Sequence, residues 1–134
     1  MRVLVDTHVF LWIFSRDRRL SGRSREFLED LQSNEFYFSD VSVWEASIKY
    51  GMGKLILPES PEVFFPDRVR RSEYHHLHID LRHVTRVHSL PNIHGDPFDR
   101  LLITQAIVEG MTIVTHDPVF KRYMVDTLTI RDIS

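Results

Sequence analysis

Acidic residues recur in this chain where strands would end and helices begin. Asp6 follows Arg2-Val-Leu-Val5, Glu45 closes Ser42-Val-Trp-Glu45, and Asp117 sits in Thr115-His-Asp-Pro118. Asp96 and Asp99 fall within His94-Gly-Asp-Pro-Phe-Asp-Arg100. Two carboxylates about 4 Å apart repel by roughly 4 kcal/mol at an effective dielectric of about 20, a cost that a divalent cation removes. The chain has no cysteine, so thiolate ligands are excluded. All-oxygen ligation points to Mg²⁺ or Mn²⁺. A site of several carboxylates around such an ion suits hydrolysis of a phosphodiester, by activating water and steadying the leaving oxygen.

Helix capping offers a competing account of the same acids. Asp96 before Pro97 and Asp117 before Pro118 have the form of helix N-caps, with Pro at the first helical position. Glu45 stands three residues after Ser42, as in a capping box. Asp99 is a first-turn acid favoured by the helix dipole. Asp6 has the weakest structural excuse, because Thr7 can cap the segment that follows. The non-catalytic alternative is therefore an α/β binding module whose acids cap helices or hold a structural ion. A phosphotransferase of the haloacid-dehalogenase type would want a second Asp two residues after Asp6, and His8 stands there.

The elements that must position these acids alternate along the chain. Arg2 to Val5 is a short apolar strand, and Val9 to Phe14 an apolar helix. Arg16 to Arg25 carries five arginines around a Leu20-Ser21-Gly22 turn, before a helix to about Gln32 with Phe27, Leu28 and Leu31 inward. Glu35 to Ser39 is a second strand, and Ser42 opens a helix that stops at Gly51-Met-Gly53. Ser60-Pro61 starts another helix, interrupted at Pro66. A weak third strand is expected over Leu77 to Leu81 and a short helix over Arg82 to Ser89. From Asp96 a packed helix runs to Gly110, a left-handed stop. Met111 to Thr115 and Thr127 to Ile130 read as the last strands, the final one at an edge. This alternation predicts an α/β protein, a three-layer α/β/α sandwich on a mainly parallel sheet. Ligands of such sheets sit at the carboxyl ends of the strands, near a topological switch point.

Length and composition fit a single domain over residues 1–134, with 43% hydrophobic and 27% charged residues. No apolar run reaches membrane-spanning length and the start is not a signal peptide, so a cytoplasmic protein without a membrane partner is expected. The net charge of −2 is neutral evidence on nucleic acid: setting four acid ligands aside leaves 15 acidic against 17 basic residues. Those basic residues are mostly Arg, the better phosphate ligand.

Several stretches together resemble the PIN-domain ribonucleases, in particular VapC-type toxins of toxin–antitoxin pairs. They are Val5-Asp6-Thr7-His8, Ser42-Val-Trp-Glu45 through Lys49, Gly53-Lys-Leu55, Asp96-Pro-Phe-Asp99 through Ala106, and Val114-Thr-His-Asp117. They run in family order over nearly the whole chain. The resemblance implies a metal-dependent endoribonuclease whose Mg²⁺ or Mn²⁺ site is formed by Asp6, Glu45, Asp99 and Asp117. Asp6 and Asp99 would be the principal ligands, with Glu45 and Asp117 acting directly or through water. It also implies an RNA substrate, a homodimer and a cognate antitoxin protein that covers a groove near the site. Asp96 would aim the helix, Thr7 and Thr115 would orient a carboxylate or water, and Arg100 would contact phosphate or clamp a carboxylate. His94 and His116 flank the acids and read as loop residues within reach of RNA or a proton.

His75-His76-Leu77-His78 has no nearby acid and no helical pair, so a solvated loop is expected rather than a zinc site. Phe10, Trp12 and Phe14 are assigned to the core. Trp44, Tyr50, Phe64 and Phe65 exceed what a small core needs and are assigned in part to an interface.

Overall fold

The computed structural model describes residues 1–134. Five strands form one sheet, β1 (Arg2–Val5), β2 (Glu35–Ser39), β3 (His75–Leu77), β4 (Thr112–Thr115) and β5 (Thr127–Thr129), in the order β3-β2-β1-β4-β5. Every neighbouring pair is parallel. The chain steps outward from β1 through β2 to β3, then returns to the other side of β1 to lay down β4 and β5. The switch point therefore lies between β1 and β4, and the carboxyl ends of all strands share one edge.

Strand periodicity divides the core into two layers. Val3, Val5, Phe36, Phe38 and Val114 pack on one face with α1 (Thr7–Ser15), α2 (Gly22–Glu29), α4 (Pro61–Ser72) and α7 (Ile130–Ile133). Leu4, Tyr37 and Ile113 point to the other face, where α6 (Pro97–Glu109) contributes Leu101, Leu102, Ile103 and Ala106. α3 (Asp40–Gly51) feeds both layers, Ala46 into the first and Val41 into the second. The result is the three-layer sandwich expected, with a sheet that is wholly parallel.

α6 is built as its sequence indicates. The Asp96 carboxylate accepts the backbone N–H groups of Phe98 at 2.8 Å and Asp99 at 3.0 Å, Pro97 occupies the first turn, and Gly110 closes the helix at φ 67°. Other boundaries differ from expectation. α3 starts at Asp40, not after Ser42: Ser39 is the cap, accepting from Val41 N–H at 3.0 Å, because burying Val41 draws the chain into helix directly from the end of β2. The capping box at Ser42 and Glu45 does not form. Ser42 lies inside the helix and its hydroxyl accepts from Thr7 Oγ1 at 2.9 Å, tying α3 to α1. Asp6, not Thr7, is the N-cap of α1.

α4 runs unbroken through Pro66, since burial of Phe64 and Phe65 on the preceding turn holds the helix despite one missing backbone bond. α2 stops at Glu29 and leaves Leu31 exposed. The third strand is His75–Leu77 rather than 77–81, and Asp80 instead caps α5 (Leu81–Arg86). A strand of this length owes its existence to pairing, here Tyr37 with His75 through Ser39 with Leu77, more than to residue preference. A 3₁₀ turn over Val87–Ser89 extends α5, as a second over Pro118–Arg122 follows β4.

Candidate active site

The carboxyl edge gathers the acids at the switch point. Asp6 leaves the end of β1 almost wholly buried, its N–H bonded to Val114 O at 2.9 Å so that β1 and β4 stay paired up to this residue. One carboxylate oxygen accepts Thr115 Oγ1 at 2.6 Å and lies 3.4 Å from His116 Nδ1. The other accepts the His8 N–H at a long 3.4 Å, so the capping duty is weak. Burial alone would raise the Asp6 pKa, but the hydrogen bonds of His116 and Thr115 and the charges of His116 and His8 outweigh it and hold the carboxyl below its ordinary range. The same contact with Asp6 raises His116, whereas burial lowers His8.

Asp99 and Glu45 approach from α6 and α3, and neither caps a helix. The Asp99 carboxyl is pushed up to about 7, first by burial, with the Asp6, Asp96 and Glu45 carboxylates adding repulsion that the 2.7 Å bond to His94 Nε2 does not cancel. Glu45 is nearly fully buried and meets Lys49 Nζ, one turn on along α3. Asp117 stands at the lip, where it caps the turn after β4 through Val119 N–H at 3.0 Å and contributes its charge to His116. Each of the three inner acids thus has a neighbour that can carry positive charge: His116 for Asp6, His94 for Asp99, Lys49 for Glu45. That pairing and the acidic neighbours of Asp99 are what a divalent cation would relieve, and carboxylate donors suit a hard ion, although the ligand atoms within 4.8 Å of one another around Asp6 are those of Asp6, His8 and His116.

The lesser site residues divide. Thr115 orients Asp6 as expected, and Asp96 aims α6. Thr7 does not orient a carboxylate, because its hydroxyl is committed to Ser42. Arg100 is not a phosphate arm: its guanidinium donates to the carbonyls of Pro91 at 2.9 Å, His94 at 3.3 Å and Leu90 at 3.4 Å, and so braces the loop leading into α6.

Beside Asp6 opens a cleft of about 610 Å³ lined by His8, Trp12, Arg19, His116 and Arg131. Trp12 belongs to this cleft, not to the deep core. Its ring lies 5.2 Å from His116 in an edge arrangement, and the Arg19 guanidinium sits 4.9 Å over it. Of the arginine-rich stretch, Arg19 therefore faces the site, while Arg25 is spent on the carbonyls of Ile13 and Asp17. Lys49 and His8 were not singled out from sequence as site residues. The i, i+4 spacing of Glu45 and Lys49 could have shown the first, and the second lies two residues from Asp6. The join between Asp6 and Thr115 spans 109 residues and no local signal reveals it.

The wholly parallel sheet with carboxylates collected at its switch point defines an α/β protein with an acidic, cation-suited edge. The chain belongs to the PIN-domain family, whose profile matches residues 3–125. It is 37% identical over 62 residues to Ribonuclease VapC16 of Mycobacterium tuberculosis, a stretch that makes up 46% of this chain and 43% of that relative, so less than half of the relative's length is matched. Among solved structures it is similar to VapBC2 from Rickettsia felis bound to a promoter DNA fragment, with TM-score 0.74 and 19% identity over 96% of this chain and 98% of that one. DNA-bound VapBC from Salmonella typhimurium gives TM-score 0.70 at 18% identity over 97% and 98%. FitAcB from Neisseria gonorrhoeae gives 0.67 at 18% over 96% and 98%. At these identities the structural likeness speaks for the fold.

Proposed function

We propose that this PIN-domain protein is a metal-dependent endoribonuclease and the toxin of a toxin–antitoxin pair. The observation that carries the reading is that Asp99 and Glu45, which cap nothing, share one electrostatic neighbourhood with Asp6 at the switch point. Helix capping accounts for Asp96 and Asp117 but not for that convergence. Asp6 and Asp99 would be the principal ligands of a Mg²⁺ or Mn²⁺ ion, with Glu45 and Asp117 acting directly or through water. Such an ion, when bound, supplies a water acidic enough to attack a phosphate and charge to steady the leaving oxygen.

The chain's own residues supply the rest. Thr115 fixes the Asp6 carboxylate so that its rotamer need not be found at the moment of reaction. Arg19 and Arg131 offer the cleft the charge that holds a phosphate backbone without regard to sequence. Trp12 offers a face on which a base can stack. His94, Lys49 and His116 hold the acids in place, and a bound cation would take over that charge balance.

The VapC16 name and the VapBC and FitAcB assemblies support an antitoxin partner. A narrow groove of about 220 Å³ runs between α1 and α4, lined by Leu11, Phe14, Leu55, Leu57 and Phe64 with His8 at its edge, and suits an apolar segment of such a partner. A cytoplasmic location belongs to this reading, since that is where a toxin of this kind would meet RNA; no helix is long and apolar enough to cross a membrane. Purified protein incubated with an RNA pool should cleave it with Mg²⁺ or Mn²⁺ and stop when EDTA is added. Intact RNA under both conditions would leave the binding-module reading in place.

A further inference from the structure

We infer that Asp40, His76 and His78 form a second cation site, distinct from the carboxylate edge around Asp6, and that it takes a zinc-class ion. The histidine cluster is not a solvated loop. His76 lies in β3, paired beside Phe38 of β2, and Leu77 pairs with Ser39. His78 lies just past the end of β3, and its ring and that of His76 come together with centroids 3.9 Å apart. The acid missing from the local sequence comes from the start of α3: Asp40 directly follows Ser39 at the end of β2, opposite the position after Leu77.

The Asp40 carboxylate reaches both rings. One oxygen is in short contact with His76 Nε2 and the other lies 3.1 Å from His78 Nδ1. One ligand atom from each of the three residues lies within 4.8 Å of the other two, a span that a single ion with bonds of about 2.0–2.2 Å can gather with small ring movements. The set is also held in place. Ile79 N–H donates to Asp40 at 3.2 Å, and the Phe38 ring supports that of His76 at 4.4 Å.

Two imidazoles and one carboxylate favour Zn²⁺, or Ni²⁺ and Co²⁺, over Mg²⁺, because imidazole nitrogen is too soft a donor to suit a hard ion. Three protein ligands leave a fourth position for water or a donor from another molecule. Without the ion the same groups form a hydrogen-bonded fork, Asp40 between two histidines. With it, the imidazole nitrogens that face Asp40 would present lone pairs to the metal, any proton on them passing to solvent or to the other ring nitrogen. Either way the group fastens the edge strand β3 to the start of α3, and the cation makes the fastening conditional on metal supply.

The test is calorimetric titration of Zn²⁺ into the intact protein with Mg²⁺ in excess. Asp6, His8 and His116 form another group of three potential ligands, so two double variants are compared. His76→Gln with His78→Gln should bind one Zn²⁺ equivalent at least about tenfold more weakly than the parent, the smaller end of what losing even an outer partner of a metal ligand costs. His8→Gln with His116→Gln should keep that equivalent. A His76/His78 variant that titrates like the parent overturns the site, as does a loss confined to the His8/His116 variant. Should the first variant fail to fold, the unaltered protein still decides: the imidazole nitrogen resonances of His76 and His78 should shift at one Zn²⁺ equivalent, and resonances that stand still overturn the assignment.

Discussion

Glu45 is where the capping and catalytic accounts part most sharply. With Ser39 as the cap of α3, Glu45 has no backbone amide to serve, and its one recorded partner is Lys49. A carboxylate this buried, whose partner is a cation and not a backbone amide, is a group whose charge matters. Glu45→Gln should therefore stay folded and cleave RNA at least about a hundredfold more slowly in single turnover, the loss typical of one acid–base group. Cleavage at the parent's rate would remove Glu45 from the site and leave three acids. Asp99 yields a second test, in its pH response. Its folded pKa of about 7 stands above the ordinary 3.8, so between those values the folded protein holds a proton that the unfolded chain has released. Stability without metal must then fall as pH rises through that window and level off above it. Denaturant melts in EDTA at pH of about 5 and about 8 should show Asp99→Asn gaining on the parent at the higher pH. Equal pH slopes for the two proteins would mean that the Asp99 carboxyl is not raised by its burial and its acidic neighbours.

Elements differ in how openly their sequence declares them. α6 was legible from Asp96-Pro97 to Gly110 because its start and stop are local: a side chain capping its own next two amides, and a residue free to adopt φ 67°. The start of α3 was not, because Ser39 and Ser42 are equally good caps one turn apart, and the burial of Val41 by tertiary packing decides between them. β3 was displaced for a related reason, since an exposed run of histidines becomes a strand only by pairing with β2. At the site, the acids were legible by type and spacing, whereas their partners were not. Thr115 reaches Asp6 only because β4 lies beside β1, and Arg100 turns back to three carbonyls that no spacing rule marks. Two substitutions test these assignments. Asp96→Ala removes the cap of α6 and should cost about 1 kcal/mol in chemical denaturation while leaving measurable cleavage. Ser42→Ala should destabilise by about 1–3 kcal/mol through the stranded Thr7 hydroxyl. Because Ser42 is not a cap, Thr7→Val added to Ser42→Ala should recover part of that loss. A double variant no more stable than Ser42→Ala would contradict the buried Thr7–Ser42 tie.

Across the whole molecule, the aromatic surplus splits between core and surface. Phe64 and Phe65 are buried, but Trp44 is 51% exposed, and with Ile48 and Met52 at four-residue spacing it makes an apolar strip along and just past α3. We propose this strip as the surface on which two copies would meet, and the prediction is a dimer mass by light scattering that Trp44→Glu reduces to a monomer. A parent whose mass is that of one chain at every concentration would remove the dimer. The strip begins close to the acids, Trp44 packing edge-on at 4.8 Å against Phe98 in the first turn of α6, so assembly and site share an element. The central claim, that the acids at the switch point form a metal-dependent nuclease centre, is tested most directly by single-turnover RNA cleavage in Mg²⁺ or Mn²⁺ with Asp6→Asn and Asp99→Asn beside the parent, each shown by circular dichroism to be folded. The account predicts cleavage by the parent and its loss, by at least about a hundredfold, in both variants. Parent-like cleavage by the two folded variants, in protein free of contaminating nuclease, would contradict it.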